Sequence, residues 1–338
     1  MADDSIMKIA LDTYGSDLGE SIFLDAVIFA VSNGIDADFI LYGDENILNK
    51  MIKEKNIDKN VLNHISIINA TEKIEINEHP VFALRSKTKS SLSLAGADLT
   101  SGNVDALISC GSTGAVLALG QLYVKTIQAV KRPAIASVIP TNENPCLLID
   151  CGANMDPEPA WLHGYAILGS IYMEKVLNVN NPRVGLLNVG SEETKGDKLT
   201  LETYKLLKED KKINFIGNVE SRDFLNGVCD VLVASGFNGN VLLKTYEGVA
   251  STLLNVIKQT LMSSVLTKIA GLIIKKRLKH TMKKYDADIY GGALLAGCNK
   301  LIIKCHGNAK PMAVYHAIKQ AKSFYDNDVI NIMTNNLS

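Results

Sequence analysis

Short apolar runs alternate with helix-length amphipathic stretches through most of the chain. The runs fall at Ile9–Asp12, Ala37–Gly43, Ile65–Ile68, Ala106–Cys110, Ala134–Ile139, Cys146–Asp150, Val184–Val189, Ile213–Ile216, Val231–Ala234 and Leu301–Lys304. They are rich in β-branched residues and bounded by Gly, Asn, Asp or Pro, which predicts strands. Between them, Glu20–Ser32, Val81–Ser101, Thr113–Gln128, Glu158–Leu177 and Lys198–Lys208 predict helices. Such alternation reads as βαβ units, and so as an α/β fold with a mostly parallel sheet and helices on both faces. There is no tandem repeat and no low-complexity tract.

The rhythm breaks once, from Gly248 to Tyr285, where no strand is expected. Leu254, Ile257, Leu261, Val265, Ile269 and Leu272 recur at helical spacing, and Leu253, Met262, Leu266 and Ile273 widen the stripe. The same segment holds eight basic residues and no acidic one. Lys258 and Lys268 interrupt the apolar run, which argues against a spanning helix. The segment predicts a protruding basic amphipathic helical hairpin over 248–285, broken near Gly271. It suits a dimer contact with a solvated basic end, or a surface for anionic lipid or an acidic partner. Lys268, Lys275, Lys276, Arg277 and Lys279 are the candidates for that surface.

Composition narrows the picture. With 338 residues and a net charge of −1, the chain has room for one α/β unit over 7–338, with two lobes as a further option. The near-neutral balance and 6% aromatic content argue against a nucleic-acid binder. Residues 1–6 read as a polar, disordered extension without a signal segment. The six cysteines form no C-x-x-C pair, so buried reduced thiols are expected rather than a disulfide framework.

Ligands in parallel α/β sheets bind beyond the carboxyl ends of strands, so the residues after each strand are the candidates. Asp12–Gly19 is a polar turn. Gly111, Ser112, Thr113 and Gly114 place N–H groups at a helix start, suited to an anion or to plain capping. Asn154 follows Cys146–Asp150, as a carbonyl or phosphate donor or as a turn residue. Asn188 ends the next run, and Lys195 sits beside Gly196 in the loop beyond it. A lysine there reaches a phosphate or stays solvated. Gly236 and Gly239 suggest a nest of N–H donors, with Asn240 in the first turn aimed at the ligand and Lys244 one turn later. His306 follows the last strand. No metal cluster, Walker A loop, G-x-S-x-G elbow or dinucleotide fingerprint is present, so no cofactor and no metal are expected. Backbone donors, amides, hydroxyls and a lysine suit an anion and a developing oxyanion.

Three stretches are specific when taken together: Asn-Pro-Arg-Val-Gly-Leu-Leu-Asn-Val-Gly (181–190), Phe-Ile-Gly-Asn-Val-Glu (215–220) and Gly-Phe-Asn-Gly-Asn-Val (236–241). With Lys8–Gly19, His79–Gly114, Lys131–Thr141, Leu147–Asp156 and Tyr290–Gly307, they make residues 7–325 resemble the acyl-ACP:phosphate acyltransferases (PlsX) of bacterial phospholipid synthesis. The pattern departs at Thr13-Tyr14, Ser16, Leu294 and Asn308-Ala309, and at Ser235, where the family usually has Asp. The resemblance implies a phosphotransacetylase-like and isocitrate/isopropylmalate dehydrogenase-like fold in a homodimer. It implies transfer of a long-chain acyl group from acyl carrier protein (ACP) to inorganic phosphate. The acyl phosphate would feed a membrane glycerol-3-phosphate acyltransferase. It also implies a cytoplasmic protein peripherally bound to an anionic membrane. The residues then take roles: Lys195 on phosphate and developing charge, Asn240 on phosphate or the thioester carbonyl. Asn154, Asn188, Lys244 and His306 are second in rank. The alternative is a phosphotransacetylase-like enzyme using acyl-CoA. A non-catalytic membrane scaffold and a nicotinamide dehydrogenase are less consistent with these residues.

Overall fold

The computed structural model describes residues 6–283, 285 and 287–337. In chain order the elements are β1 (Met7–Asp12), α1 (Ser21–Ser32), β2 (Ala37–Gly43), α2 (Glu45–Glu54), α3 (Lys59–Leu62), β3 (Ile65–Asn69), α4 (Pro80–Ser86), α5 (Ser91–Ser101), β4 (Ala106–Ser109) and α6 (Thr113–Leu119). They continue as β5 (Ala134–Ile139), β6 (Cys146–Ile149), α7 (Pro159–Lys175), β7 (Arg183–Asn188), α8 (Lys198–Glu209), β8 (Asn214–Glu220), β9 (Val231–Val233) and α9 (Gly236–Met262). The last are α10 (Val265–Lys283), β10 (Ala293–Ala296), β11 (Leu301–Lys304), α11 (Pro311–Asp326) and α12 (Val329–Leu337).

All the strands among the described residues join one 11-stranded sheet, ordered β3-β2-β1-β4-β11-β10-β5-β6-β9-β7-β8. The mostly parallel sheet is as the alternation predicts, with one reorganisation at its centre. β10 is antiparallel to both β11 and β5, and β5 is antiparallel to β6. The parallel block β3-β2-β1-β4-β11 therefore runs opposite to the parallel block β6-β9-β7-β8. The residues that follow the strands, all candidates by sequence, are thereby divided between two ends of the sheet. Loops after β1, β4 and β11 stand at one end of the sheet, and loops after β6, β7 and β9 at the other.

Strand residues alternate between the faces, as their period of two requires. Ile9 and Leu11 join a core with Phe23, Tyr172 and Phe324, under α1, α7, α11 and α12. Ala10 points into a second cluster with Leu92, Leu99 and Leu119, under α5 and α6. Cys146 and Leu148 enter a third with Phe224 and Leu232. Ile135 packs against both the second and the third cluster, at the seam.

Several predicted elements shift. Val81–Ser101 is two helices, because Ser90 breaks the run by accepting the Ser93 N–H at 3.2 Å as the N-cap of α5. Thr113–Gln128 stays α-helical only to Leu119 and widens to a π-turn over Gly120–Val124. There Gly120 lies against Leu295 and Cys298, with no space for a Cβ. β10 is a strand that its Ala-Leu-Leu-Ala sequence does not announce. The helical segment starts at Gly236, twelve residues before Gly248, and breaks at Ser263–Ser264 rather than near Gly271. The reason is a cap: Ser264 Oγ accepts the Thr267 N–H while Thr267 Oγ1 accepts the Ser264 N–H. Gly271 instead packs on Leu261, between α10 and α9. Residues 1–5 of the expected extension lie outside the described residues, as does the Lys279 side chain.

Candidate functional site

A cavity of about 340 Å³ lies at the antiparallel seam. Its walls come from both blocks: Thr113; Ile135, Ser137, Val138 and Ile139 of β5; Cys151 and Gly152 after β6; Tyr290 to Ala293, leading into β10; and Lys304 to His306 at the end of β11. One side of α9 lines it with Asn240, Leu243, Lys244, Tyr246 and Glu247. This helix explains how residues from opposite sheet ends meet. It starts beyond β9 and rises about 1.5 Å per residue, so Glu247 lies about 16 Å further along than Gly236. There Glu247 Oε1 is 3.7 Å from His306 Nε2, while its Oε2 accepts from Lys244 Nζ at 2.8 Å.

The start of α9 is held tightly. Ser235 is its N-cap, its Oγ accepting the Asn238 N–H at 3.2 Å. The Gly236 N–H donates to Asn154 O and the Gly239 N–H to Ser235 O. The expected nest is therefore largely occupied from within, through Gly236, Asn238 and Gly239. Asn240 falls just past the first turn, over Gly152. Its amide has no hydrogen-bond partner among the described residues and faces the cavity.

Beneath the helix start is Asp150. It accepts N–H groups from Ile135, Gly152, Ala153 and Asn154, and its burial raises its pKa. Asn154 belongs to this brace: its Nδ2 donates to Pro133 O, Asp150 Oδ2 and Tyr165 Oη. It stands behind the site rather than in it. Asn188 braces a loop in the same way, donating to Lys195 O and accepting the Val189 N–H. With Asn218 donating to Glu192 O, and the Lys208–Glu193 ion pair, it fixes the Gly190–Gly196 loop. Lys195 is exposed on that loop, unpartnered among the described residues and outside the cavity lining. The loop follows β7, next to β9 and at the same sheet end as the start of α9.

The Gly111–Gly114 turn divides. Thr113 lines the cavity, and Gly114 packs on Pro80. Gly111 and Ser112 instead face a small recess with Asp12, Tyr14, Gly15 and Ser91. Asp12 is buried, accepts from Ser109 and Ser91 hydroxyls, and has its pKa raised by burial. Where the chain beyond Asp12 enters α1 stands Glu20, 7% exposed, whose Oε2 has no hydrogen-bond partner among the described residues. Burial and, second, the charge of Asp44 raise its pKa to about 7. A carboxyl whose folded pKa exceeds its unfolded value contributes stability at low pH and loses it as pH rises through the folded value. Glu20→Gln should therefore raise the melting temperature at pH 8 and leave it nearly unchanged near pH 4.5. Thermal melts at the two pH values check this, and a gain independent of pH would exclude titration as the cause.

Residues that the sequence reading passed over complete the cavity: Lys304, Glu247, Tyr246 and Cys151. Glu247 had a signal, since it is the one acidic residue in the sequence of α9 and α10. Burial, with Asp150 adding, pushes the Cys151 thiol up to about 12, so it stays protonated and is a poor nucleophile. Among the described residues no cluster of His, Cys, Asp or Glu is arranged to hold a metal ion.

Comparison with known proteins adds three findings. A family model described as "Fatty acid synthesis protein" matches residues 7–332. A "Phosphate acyltransferase" from Clostridium novyi (strain NT) is 44% identical over 96% of this chain and 97% of its own, and one from Ligilactobacillus salivarius (strain UCC118) is 44% identical over 97% of each. Among solved structures, a phosphotransacetylase from Streptococcus pyogenes superposes with a TM-score of 0.64 at 15% identity, over 95% of this chain and 94% of that one.

Proposed function

The chain belongs to the fatty acid synthesis protein family, as a phosphate acyltransferase, and we propose that its acyl donor is a long-chain acyl-ACP and its acceptor inorganic phosphate. The observation that carries this reading is the mixed cavity. An unpartnered amide and three basic side chains share it with the apolar walls of Ile135, Val138, Ile139, Leu243 and Ala293.

The chemistry asks little of an enzymatic base. Phosphate titrates near neutrality and supplies a dianionic nucleophile. Its oxygen attacks the thioester carbonyl, and the oxyanion then collapses with loss of a thiolate. A thiolate of pKa about 8.5 leaves readily and takes a proton afterwards. Positioning and charge stabilisation are the main tasks left. Asn240 is assigned to the carbonyl or phosphate oxygen. Lys195 is assigned to the developing charge, reaching the start of α9 from its braced loop.

The exposed faces of α9 and α10 supply partner surfaces. Leu253, Ile257, Val265, Leu266, Ile269, Leu272 and Ile273 are exposed together, an apolar area suited to a second copy of this chain in a homodimer. No described helix is long and apolar enough to cross a membrane. Lys268, Lys275, Lys276 and Arg277 are exposed at the basic end, suited to acidic ACP and to peripheral contact with anionic lipid. At the membrane a glycerol-3-phosphate acyltransferase would consume the acyl phosphate. Replacing Lys275, Lys276 and Arg277 together with Glu should raise KM for acyl-ACP and weaken sedimentation with anionic vesicles, both in a salt-dependent way. Unchanged values for both would reject this surface.

The deciding assay incubates the protein with palmitoyl-ACP and phosphate, and traps acyl phosphate as hydroxamate, with palmitoyl-CoA in parallel. Phosphate-dependent product from the ACP substrate alone supports the proposal. Product from CoA alone favours a phosphotransacetylase.

A further inference from the structure

Lys304 is out of place by the rules of its strand. Leu301, Ile302 and Ile303 before it are buried, and β11 lies inside the sheet, paired with β4 on one side and β10 on the other. A lysine ending such a strand loses much of its hydration. Its ammonium donates to Cys110 O at 3.4 Å and to Cys305 O. Among the described residues no carboxylate oxygen lies within ion-pair distance of it. The other basic groups of the cavity are differently placed. Lys244 is paired with Glu247, and His306 is exposed and shares the same carboxylate.

Asp12 and Asp17 act on Lys304 only through space. Asp12 is already held by Ser91 and Ser109, and burial pushes it toward its neutral form. A half-buried cation held by carbonyl dipoles alone is costly, and an anion entering the cavity would offset that cost. Burial also lowers the pKa of Lys304, as expected of a cation without a close counter-charge.

We propose that Lys304 is the phosphate-binding residue of this cavity, holding the acceptor phosphate by charge across from the Asn240 amide. The inference rests on the phosphate acyl transfer proposed above. It adds a division of labour: Lys304 governs capture of phosphate, while Asn240 and Lys195 act on the acyl-transfer step. No bond to Lys304 forms or breaks.

The test compares wild type, Lys304→Met and Lys304→Arg. Phosphate and palmitoyl-ACP are varied separately, and thermal stability is followed against inorganic phosphate without acyl donor. Lys304→Met should raise KM for phosphate at least tenfold and leave KM for palmitoyl-ACP unchanged. It should also abolish the phosphate-induced rise in melting temperature seen in wild type. Lys304→Arg should keep part of that rise. A folded Lys304→Met with the wild-type phosphate KM and thermal response overturns the proposal. So does a purely structural outcome, in which Lys304→Met melts earlier, Asp12→Asn restores it and phosphate KM never moves. If wild type makes no acyl phosphate but its thermal response to phosphate depends on Lys304, the acyl-transfer reading fails while the phosphate site stands. If wild type neither turns over nor responds to phosphate, both fail.

Discussion

Asn240→Ala and Lys195→Ala each lose about 2–4 kcal/mol of transition-state stabilisation, read as a fall in kcat at saturating phosphate and acyl donor. The expectation rests on where each group stands. The Asn240 amide is turned into the cavity and is unpartnered among the described residues, so its removal breaks no hydrogen bond of the fold there. The Lys195 ammonium is likewise unpartnered, on a loop whose backbone is fixed by Asn188 and Asn218. Neither change should move the melting temperature by much, so a lower kcat would report chemistry rather than unfolding. The two variants also separate from one another. Lys195 lies outside the cavity lining, whereas Lys244, Lys304 and His306 lie in it. A silent Asn240→Ala would strip the helix start of its role. Loss in Asn240→Ala with normal turnover in Lys195→Ala would move the charge assignment to the cations inside the cavity. Near-normal turnover in both would remove the assignment altogether.

What could be read in advance follows from the kind of signal each feature leaves. Apolar runs bounded by turn residues marked the strands of the two parallel blocks, most plainly β4, β6 and β9, because strands buried on both faces read as continuous hydrophobic stretches. β10 escaped, since Ala-Leu-Leu-Ala carries no β-branched residue and owes its extended form to its neighbours β11 and β5. The reversal between the blocks escaped with it, for strand direction is set by pairing at the seam and not by local pattern.

The site divides along the same line. Thr113, Asn240, Lys244 and His306 were legible as polar residues just beyond strands or at a helix start, and the structure brings them to one cavity. Asn154 and Asn188 left the same signal but hold backbone instead. An amide that grips a loop and an amide that grips a ligand look alike in sequence, because both are short donors beside glycines. Lys304 and Glu247 left the weaker signal of a lone charge at the end of an apolar run or in an otherwise acid-free helical segment.

Gly239→Ala should destabilise the protein by about 3 kcal/mol, at the upper end of the usual cost of overpacking, and should abolish activity. In an isolated helix the same change is favourable by about 1 kcal/mol, since Ala loses less backbone freedom than Gly. The sign reverses here through close approach. A Cβ at Gly239 would lie 1.9 Å from Asp150 O and 3.0 Å from the Asp150 carbonyl carbon. Neither side can give way easily. The Asp150 carboxylate is gripped by the N–H groups of Ile135, Gly152, Ala153 and Asn154, and the helix start is tied back by Gly236 N–H to Asn154 O at 2.8 Å. Relief must come from lifting α9, which carries Asn240 away from Gly152 and opens the cavity. Gly164→Ala is the matched control: it also lies inside a helix, α7, and its added Cβ meets nothing within 4 Å. Gly164→Ala should be neutral or stabilising in urea melts while Gly239→Ala loses stability. If both alanines stabilise, the helix start is not seated on Asp150, and the placement of Asn240 over the cavity goes with it.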